Sequence, residues 1–170
     1  MDLNRLKIGE KAPEKINVVI ETVRGSRAKY ELKHGFLVLD KFIKRGLVFP
    51  ADYGFIPQTR WDDGDAMDVI LLSSIDSPPL TVIKARPIAL LKLKDRGIPD
   101  DKIIAVPVDD PEYKNIKDLE DLTETVKEQI MEFMLNYKAE AVEIHDFLGA
   151  ERALKAIRHG IKLYKTRIEG

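Results

Sequence analysis

The sequence predicts an α+β fold: short strands closed into a small β-barrel, followed by two main helices. Three observations carry that prediction. Residues 17–107 divide into short apolar or alternating runs separated by Gly, Pro and Asp. Beyond residue 110 the apolar period becomes helical, first at Val126, Ile130, Phe133, Met134 and Tyr137, then at Ala153, Leu154, Ile157, Ile161 and Tyr164. Few of the earlier runs read as exposed edges, so the strands are expected to close on themselves.

The first 16 or so residues, with Pro13, read as an irregular lead-in against the body. Asn17 to Arg24 is a strand pattern in which Glu21 shares a face with Val19 and Val23, an unusual place for a carboxylate. Gly25-Ser26-Arg27 turns the chain. Lys29, Glu31 and Lys33 then alternate with Tyr30 and Leu32, His34-Gly35 forms a two-residue hairpin turn, and Phe36 to Asp40 returns. Pro50 and Pro57 are expected to limit the segment between them to edge or loop positions. Val69-Ile70-Leu71-Leu72 reads as a buried strand, and Ser77-Pro78-Pro79 as a break. Thr81 to Lys94 is β-rich and interrupted at Pro87, which predicts a bent strand or two short ones. Asp95 to Asp101 is a charged hairpin-type loop leading into Lys102-Ile103-Ile104-Ala105-Val106-Pro107. Asp121-Leu122-Thr123-Glu124 reads as a capping box opening the first helix, and the second begins near Ala150, weakened locally by Gly160.

With 170 residues and no repeat, low-complexity tract or linker, one domain spanning 1–170 is expected, with a sizeable core. The 28 basic and 29 acidic residues nearly cancel, which argues against bulk binding to nucleic acid or a membrane surface. No run approaches the ~18 apolar residues of a membrane span. Residues 1–7 lack the apolar core of a signal peptide, so a cytoplasmic protein is expected. The absence of cysteine excludes disulfides, thiolate nucleophiles and Cys-ligated zinc, and the three histidines are scattered.

The most costly stretch to hold together is Trp61-Asp62-Asp63-Gly64-Asp65-Ala66-Met67-Asp68, with four carboxylates in seven residues. Like charges this close repel unless a cation is shared among them. Oxygen ligands of this kind suit Mg²⁺, Mn²⁺ or Ca²⁺. A calcium hand is excluded, because counting from Asp63 places Asp68 and Ser74 where Gly and Glu are required. Further carboxylates recur at Glu21, Glu31, Asp95 and Asp100, with Lys29, Lys41 and Lys102 beside them. Tyr53, Tyr137 and Lys138 lie near element ends. Taken singly, most of these would be solvated surface or core. Together they suit a polyanionic substrate held through several divalent cations, with metal-activated water as nucleophile: a metal-dependent phosphoryl hydrolase.

The chain resembles the soluble family I inorganic pyrophosphatases. Asp63-Gly64-Asp65-Ala66-Met67-Asp68-Val69 is similar to the family's Asp-Gly-Asp-Pro-apolar-Asp-apolar signature. Around it stand Val19-Ile20-Glu21, Lys29-Tyr30-Glu31, Asp40-Lys41, Phe49-Pro50, Tyr53-Gly54, Arg86-Pro87-Ile88, Ala105-Val106-Pro107 and Asn136-Tyr137-Lys138, in the family's order. The resemblance implies an OB-like five-stranded barrel flanked by helices, Mg²⁺-dependent hydrolysis of pyrophosphate (Mn²⁺ or another divalent cation being the alternative) and a homohexamer. By position, it implies that Asp63, Asp68 and Asp100 hold the tightest metal, with Asp68 bridging to a second. Asp95 and Asp100 serve a further metal, and Glu21 and Glu31 act through water. Asp65 is the implied general base. Lys29, Lys41, Tyr53, Lys102, Tyr137 and Lys138 are the implied phosphate ligands.

Four departures stand out. Lys41 occupies a usual Arg position, Ala66 a usual Pro, Phe49 a frequent Tyr, and Asp146-Phe147 the usual Gly-Trp. Asp101 beside Asp100 leaves open which of the two is the ligand. Two rival readings are a metal-dependent phosphohydrolase acting on nucleotides or other pyrophosphate esters, and an OB-type module binding single-stranded nucleic acid. Only 7% aromatic residues and a net charge of −1 disfavour the second.

Overall fold

The computed structural model describes residues 6–137 and 142–168. The strands are β1 (Ile16–Thr22), β2 (Ala28–Lys33), β3 (Phe36–Phe42), β4 (Asp52–Phe55), β5 (Asp68–Leu71), β6 (Val82–Asp95), β7 (Ile98–Pro99), β8 (Lys102–Pro107) and β9 (Val142–Gly149). The helices are α1 (Glu124–Tyr137) and α2 (Ala150–Ile168). β1 pairs with β4, β4 with β5, β5 with β8 and β8 with β6, and the first half of β6 pairs back onto β1. β7 and β9 add to the second half of β6, while β2 and β3 form a separate hairpin.

This is more elaborate than strands followed by helices. β9 lies between the helices; its Val-Glu-Ile-His-Asp-Phe run has too little apolar alternation to announce a strand, and its place comes from pairing with β6. β4 is also interior, paired on both sides, because Pro50 and Pro57 flank its four residues instead of interrupting them. Gly54 permits the crossing of β4 over β1: a Cβ there would stand 1.9 Å from the Val19 carbonyl oxygen. β6 is a single strand whose register shifts between Pro87 and Ala89.

The capping box lies one turn earlier than the sequence reading placed it. Asp118 caps a 3₁₀ turn at Leu119–Asp121, with Asp121 as its reciprocal partner. The Val126 N–H then donates to the Thr123 hydroxyl at 3.4 Å, at the start of α1. Overlapping Asp-x-x-acid patterns made both placements plausible; the tertiary structure uses the first as the box.

Two apolar clusters fill the molecule. One joins Phe49, Tyr53, Ile70, Ile88 and Leu91 to Phe133, Met134 and Tyr137 of α1. The other joins Ile16, Ile20, Val69, Leu71 and Leu90 to Ala153, Ala156 and Ile157 of α2. Gly160 does more than weaken α2. A Cβ at that position would meet the Met67 sulfur at 2.3 Å, so the missing side chain lets the helix press on the acidic loop. Among the described residues, no helix is long and apolar enough to cross a membrane.

A second polar anchor lies away from the acidic loop. Asp110 accepts hydrogen bonds from the Ser74 N–H (2.8 Å), the Ser74 hydroxyl (3.0 Å), the Ser73 hydroxyl (3.4 Å) and the Glu112 N–H (3.0 Å). Burial alone would raise its pKa, but these bonds outweigh it and hold the carboxyl below the usual carboxylate range. A depressed folded pKa contributes stability that is present above the unfolded value and lost as pH falls through the folded one. Asp110→Asn is therefore expected to cost about 1–2 kcal/mol at pH 7. In denaturant melts the difference from wild type should shrink as the pH drops below about 4; a difference independent of pH would contradict the assignment.

Candidate active site

The acidic loop is fastened at both ends before any carboxylate enters the cleft. The Arg60 N–H donates to the Gly160 carbonyl of α2 at 3.0 Å, and the Trp61 N–H to the Asp65 carbonyl at 2.7 Å. The Met67 N–H donates to the Thr59 hydroxyl at 3.0 Å, and the Met67 side chain is buried. Within the loop, Asp63 accepts from the Asp65 N–H at 3.0 Å, and Gly64 has φ +94°, which permits the reversal. Asp68 then begins β5, so its carboxylate stands on a rigid strand.

One cleft of about 720 Å³ collects residues from all these elements. Its carboxylates are Glu21, Glu31, Asp40, Asp63, Asp65, Asp68, Asp95 and Asp100, and its cations are Lys29, Lys33, Lys41 and Arg96. Tyr53 reaches it from β4 and donates its hydroxyl to Asp68 at 2.7 Å. Lys102, almost fully buried, lies at its base with its ammonium donating to Asp68 at 2.5 Å and also to Asp100. Lys29 bonds Glu31 at 2.5 Å and stands 3.5 Å from Asp40, while Lys33 takes the other oxygen of Glu31 at 2.6 Å. Glu21, buried in the cleft wall, accepts from the Leu32 N–H at 2.7 Å.

The electrostatics follow from burial and crowding. Burial, then the neighbouring Asp68 and Glu31 carboxylates, push Glu21 up to about 8 against the opposing Leu32 bond and Lys29. Asp63 is raised to about 6 by burial and by Asp100, Asp68 and Asp65, against the Asp65 N–H bond. Burial would raise Glu31, but hydrogen bonds from Lys29 and Lys33 win and lower it to about 2. Burial would lower Lys102, yet Asp68 and Asp100 hold it above its usual value, so it stays charged.

Of the residues singled out in the sequence, Tyr137 and Lys102 do not line the cleft surface, and Lys138 lies outside the described residues. Tyr137 ends α1 beneath it. Its ring stacks on Phe133 at 5.0 Å, and the Lys41 ammonium stands 5.4 Å from its centroid. Phe49 packs on Tyr53 and Phe133 in the same aromatic group, where a tyrosine hydroxyl would need a buried partner. The structure also separates Asp100 from Asp101: the first lines the cleft, whereas the second accepts from the Leu93 N–H at 3.1 Å. Asp40, Lys33 and Arg96 were missed. Asp40 and Lys33 had a signal in the strand alternation that places them beside Lys29 and Glu31; Arg96 had none.

The family model for inorganic pyrophosphatase matches residues 18–165. The chain belongs to the inorganic pyrophosphatase family. An inorganic pyrophosphatase from Haloferax volcanii is 41% identical over 166 residues, 94% of each chain. Soluble inorganic pyrophosphatase 1 of Arabidopsis thaliana is 40% identical over 168 residues, covering 96% of this chain and 79% of the relative. The crystal structure of the inorganic pyrophosphatase from Thermus thermophilus superposes with a TM-score of 0.93 at 36% identity, covering 97% and 99% of the two chains. Membership in this family carries hydrolysis of pyrophosphate as the activity.

The donor chemistry of the cleft fits a hard divalent cation. Its ligand atoms are carboxylate oxygens, and burial, then crowding by neighbouring carboxylates, raises the pKa of Glu21 and Asp63, a penalty that a shared cation would relieve. Among the described residues, no three acidic or histidine side chains form a closed ligand set; Asp68 and Asp100 are instead drawn together by the Lys102 ammonium.

Proposed function

We infer that this cleft is where inorganic pyrophosphate is hydrolysed to two orthophosphates, in a Mg²⁺-dependent reaction. The observation that carries this is the meeting of eight carboxylates and four cations in one cleft. Neither set alone would hold a small polyanion together with its counter-cations. Asp63, Asp68 and Asp100 would hold the tightest ion and Asp68 would bridge to a second. Asp95 and Asp100 would serve another, with Glu21 and Glu31 acting through water. A divalent cation held there would neutralise charge on the phosphate oxygens and lower the pKa of water from 15.7 toward about 7.

The chain's own groups do the rest. Asp65, exposed at the rim of the acidic loop, accepts the proton of the attacking water as its oxygen bonds to phosphorus and the bridging P–O bond breaks. Lys29 and Lys41 meet phosphate oxygens from the β2–β3 side. Lys102 and Tyr53 do so from the base, where each also holds Asp68 in place. Tyr137 and Lys138 would complete the clamp, a role that rests on the family resemblance. The circuit of pairings through β1, β4, β5, β8 and β6 supports a closed five-stranded, OB-like barrel with this cleft at its mouth. The protein acts as one catalytic domain in the cytoplasm, without nucleic-acid or membrane partners. A homohexamer is the proposed assembly on the family resemblance, and the exposed Phe36 and Phe42 on β3 offer apolar surface for a subunit contact.

Phosphate release tests the reading. Activity on pyrophosphate is expected to vanish in excess chelator and return with Mg²⁺, and pyrophosphate should exceed ATP by at least about tenfold in kcat/KM. Preference for ATP would favour the nucleotide alternative.

A further inference from the structure

The turn joining β6 to β7 consists of Arg96 and Gly97, with φ angles of +51° and +80°. Two-residue hairpin turns of this kind favour Asn, Asp or Gly at both positions, because a Cβ at positive φ crowds the backbone. Arg96 therefore occupies a strained position that Asn would hold with less strain. Such outliers point to function when the surroundings use the side chain.

Packing does not explain the arginine. Its side chain is 84% exposed, and its guanidinium stands 4.0 Å from Asp95. It nevertheless lines the cleft, and it is the one guanidinium among the cleft-lining residues. Of the ammonium groups nearby, Lys29 and Lys33 hold Glu31 at 2.5 and 2.6 Å and Lys102 holds Asp68 and Asp100, whereas Lys41 stands 4.0 Å from Asp40 and offers a point charge instead of a fork. The cleft is also large for its proposed substrate. Its volume of about 720 Å³ is room for roughly two dozen waters at ~30 Å³ each. A small anion seated on the cations of the base and the hairpin would face solvent unless a side chain reached in from the rim.

We propose that Arg96 is a substrate-binding residue whose guanidinium takes two oxygens of the outer phosphoryl group of pyrophosphate. A planar fork matches that group, and a point charge does not replace it. The β6–β7 turn carries the backbone strain for the sake of this contact. The assignment rests on reading the cleft as the active site.

The experiment compares Arg96→Ala, Arg96→Asn and Arg96→Lys with Asp65→Asn. It uses steady-state hydrolysis at saturating Mg²⁺, calorimetric binding of inorganic phosphate, and thermal melts. Arg96→Ala and Arg96→Asn are expected to raise KM by about five- to twentyfold and to weaken phosphate binding similarly. Their kcat should fall by less than about threefold. Arg96→Asn should also raise Tm by about 1–3 °C, because relief of turn strain is separable from loss of the contact. Arg96→Lys should recover only part of the KM. An inactive Asp65→Asn beside Arg96 variants with wild-type KM and phosphate affinity would overturn the role of Arg96 alone. Full recovery by Lys would overturn the forked contact, and wild-type activity in both Asp65→Asn and a companion Asp68→Asn would overturn the cleft as the active site and this proposal with it.

Discussion

Asp65→Asn should lower kcat for pyrophosphate by about 10²- to 10⁴-fold, with Tm within about 2 °C of wild type. The substitution keeps the shape but replaces one carboxylate oxygen by an NH₂ donor, which cannot take a proton. The side chain is exposed, so no core contact is lost. The loop is held instead by the main chain of residue 65, whose N–H donates to Asp63 and whose carbonyl accepts from Trp61. Those bonds survive the change. A fall in kcat and kcat/KM together, with KM little altered, is the signature of a group acting in the transition state. Residual activity above a tenth of wild type would remove Asp65 from that role.

Lys102→Ala should destabilise the cation-free protein by about 2–4 kcal/mol, a fall in Tm of roughly 5–15 °C. The buried ammonium satisfies Asp68 and Asp100 at once, so its loss leaves two carboxylates facing each other without a counter-charge. The deficit should narrow when Mg²⁺ is present, because a cation between the same oxygens replaces the missing charge and binding to the native state adds its own stabilisation. Melts with chelator and with saturating Mg²⁺ measure this directly. An equal deficit in both conditions would mean that cations do not reach Asp68 and Asp100.

Most of the cleft was legible because its residue types are costly anywhere else. Four carboxylates in seven residues and a glutamate on a valine face are unusual in themselves, whereas lysines alternating with glutamate read as solvated surface until set beside them. Strand existence was legible for the same local reason, from apolar runs and turn residues such as His34-Gly35, whose positive φ angles match the predicted hairpin. The misreadings share a different cause. β9 and the interior position of β4 depend on which strand lies alongside, and hydrogen-bonding partners distant in sequence leave no local mark. Arg96 was silent because an exposed arginine in a loop is ordinary until its φ angle and the cleft beside it are known.

By itself, then, the sequence determined the residue chemistry of the cleft, the strand-rich first part and the two amphipathic helices, since charge, apolar period and turn residues act over a few positions. Tertiary structure alone decided how the strands pair, that Asp100 and not Asp101 faces the cleft, and that Lys102 holds Asp68 and Asp100 together. Those outcomes depend on side-chain direction and on contacts between residues far apart in the chain. Such contacts form only once burial has chosen which faces turn inward.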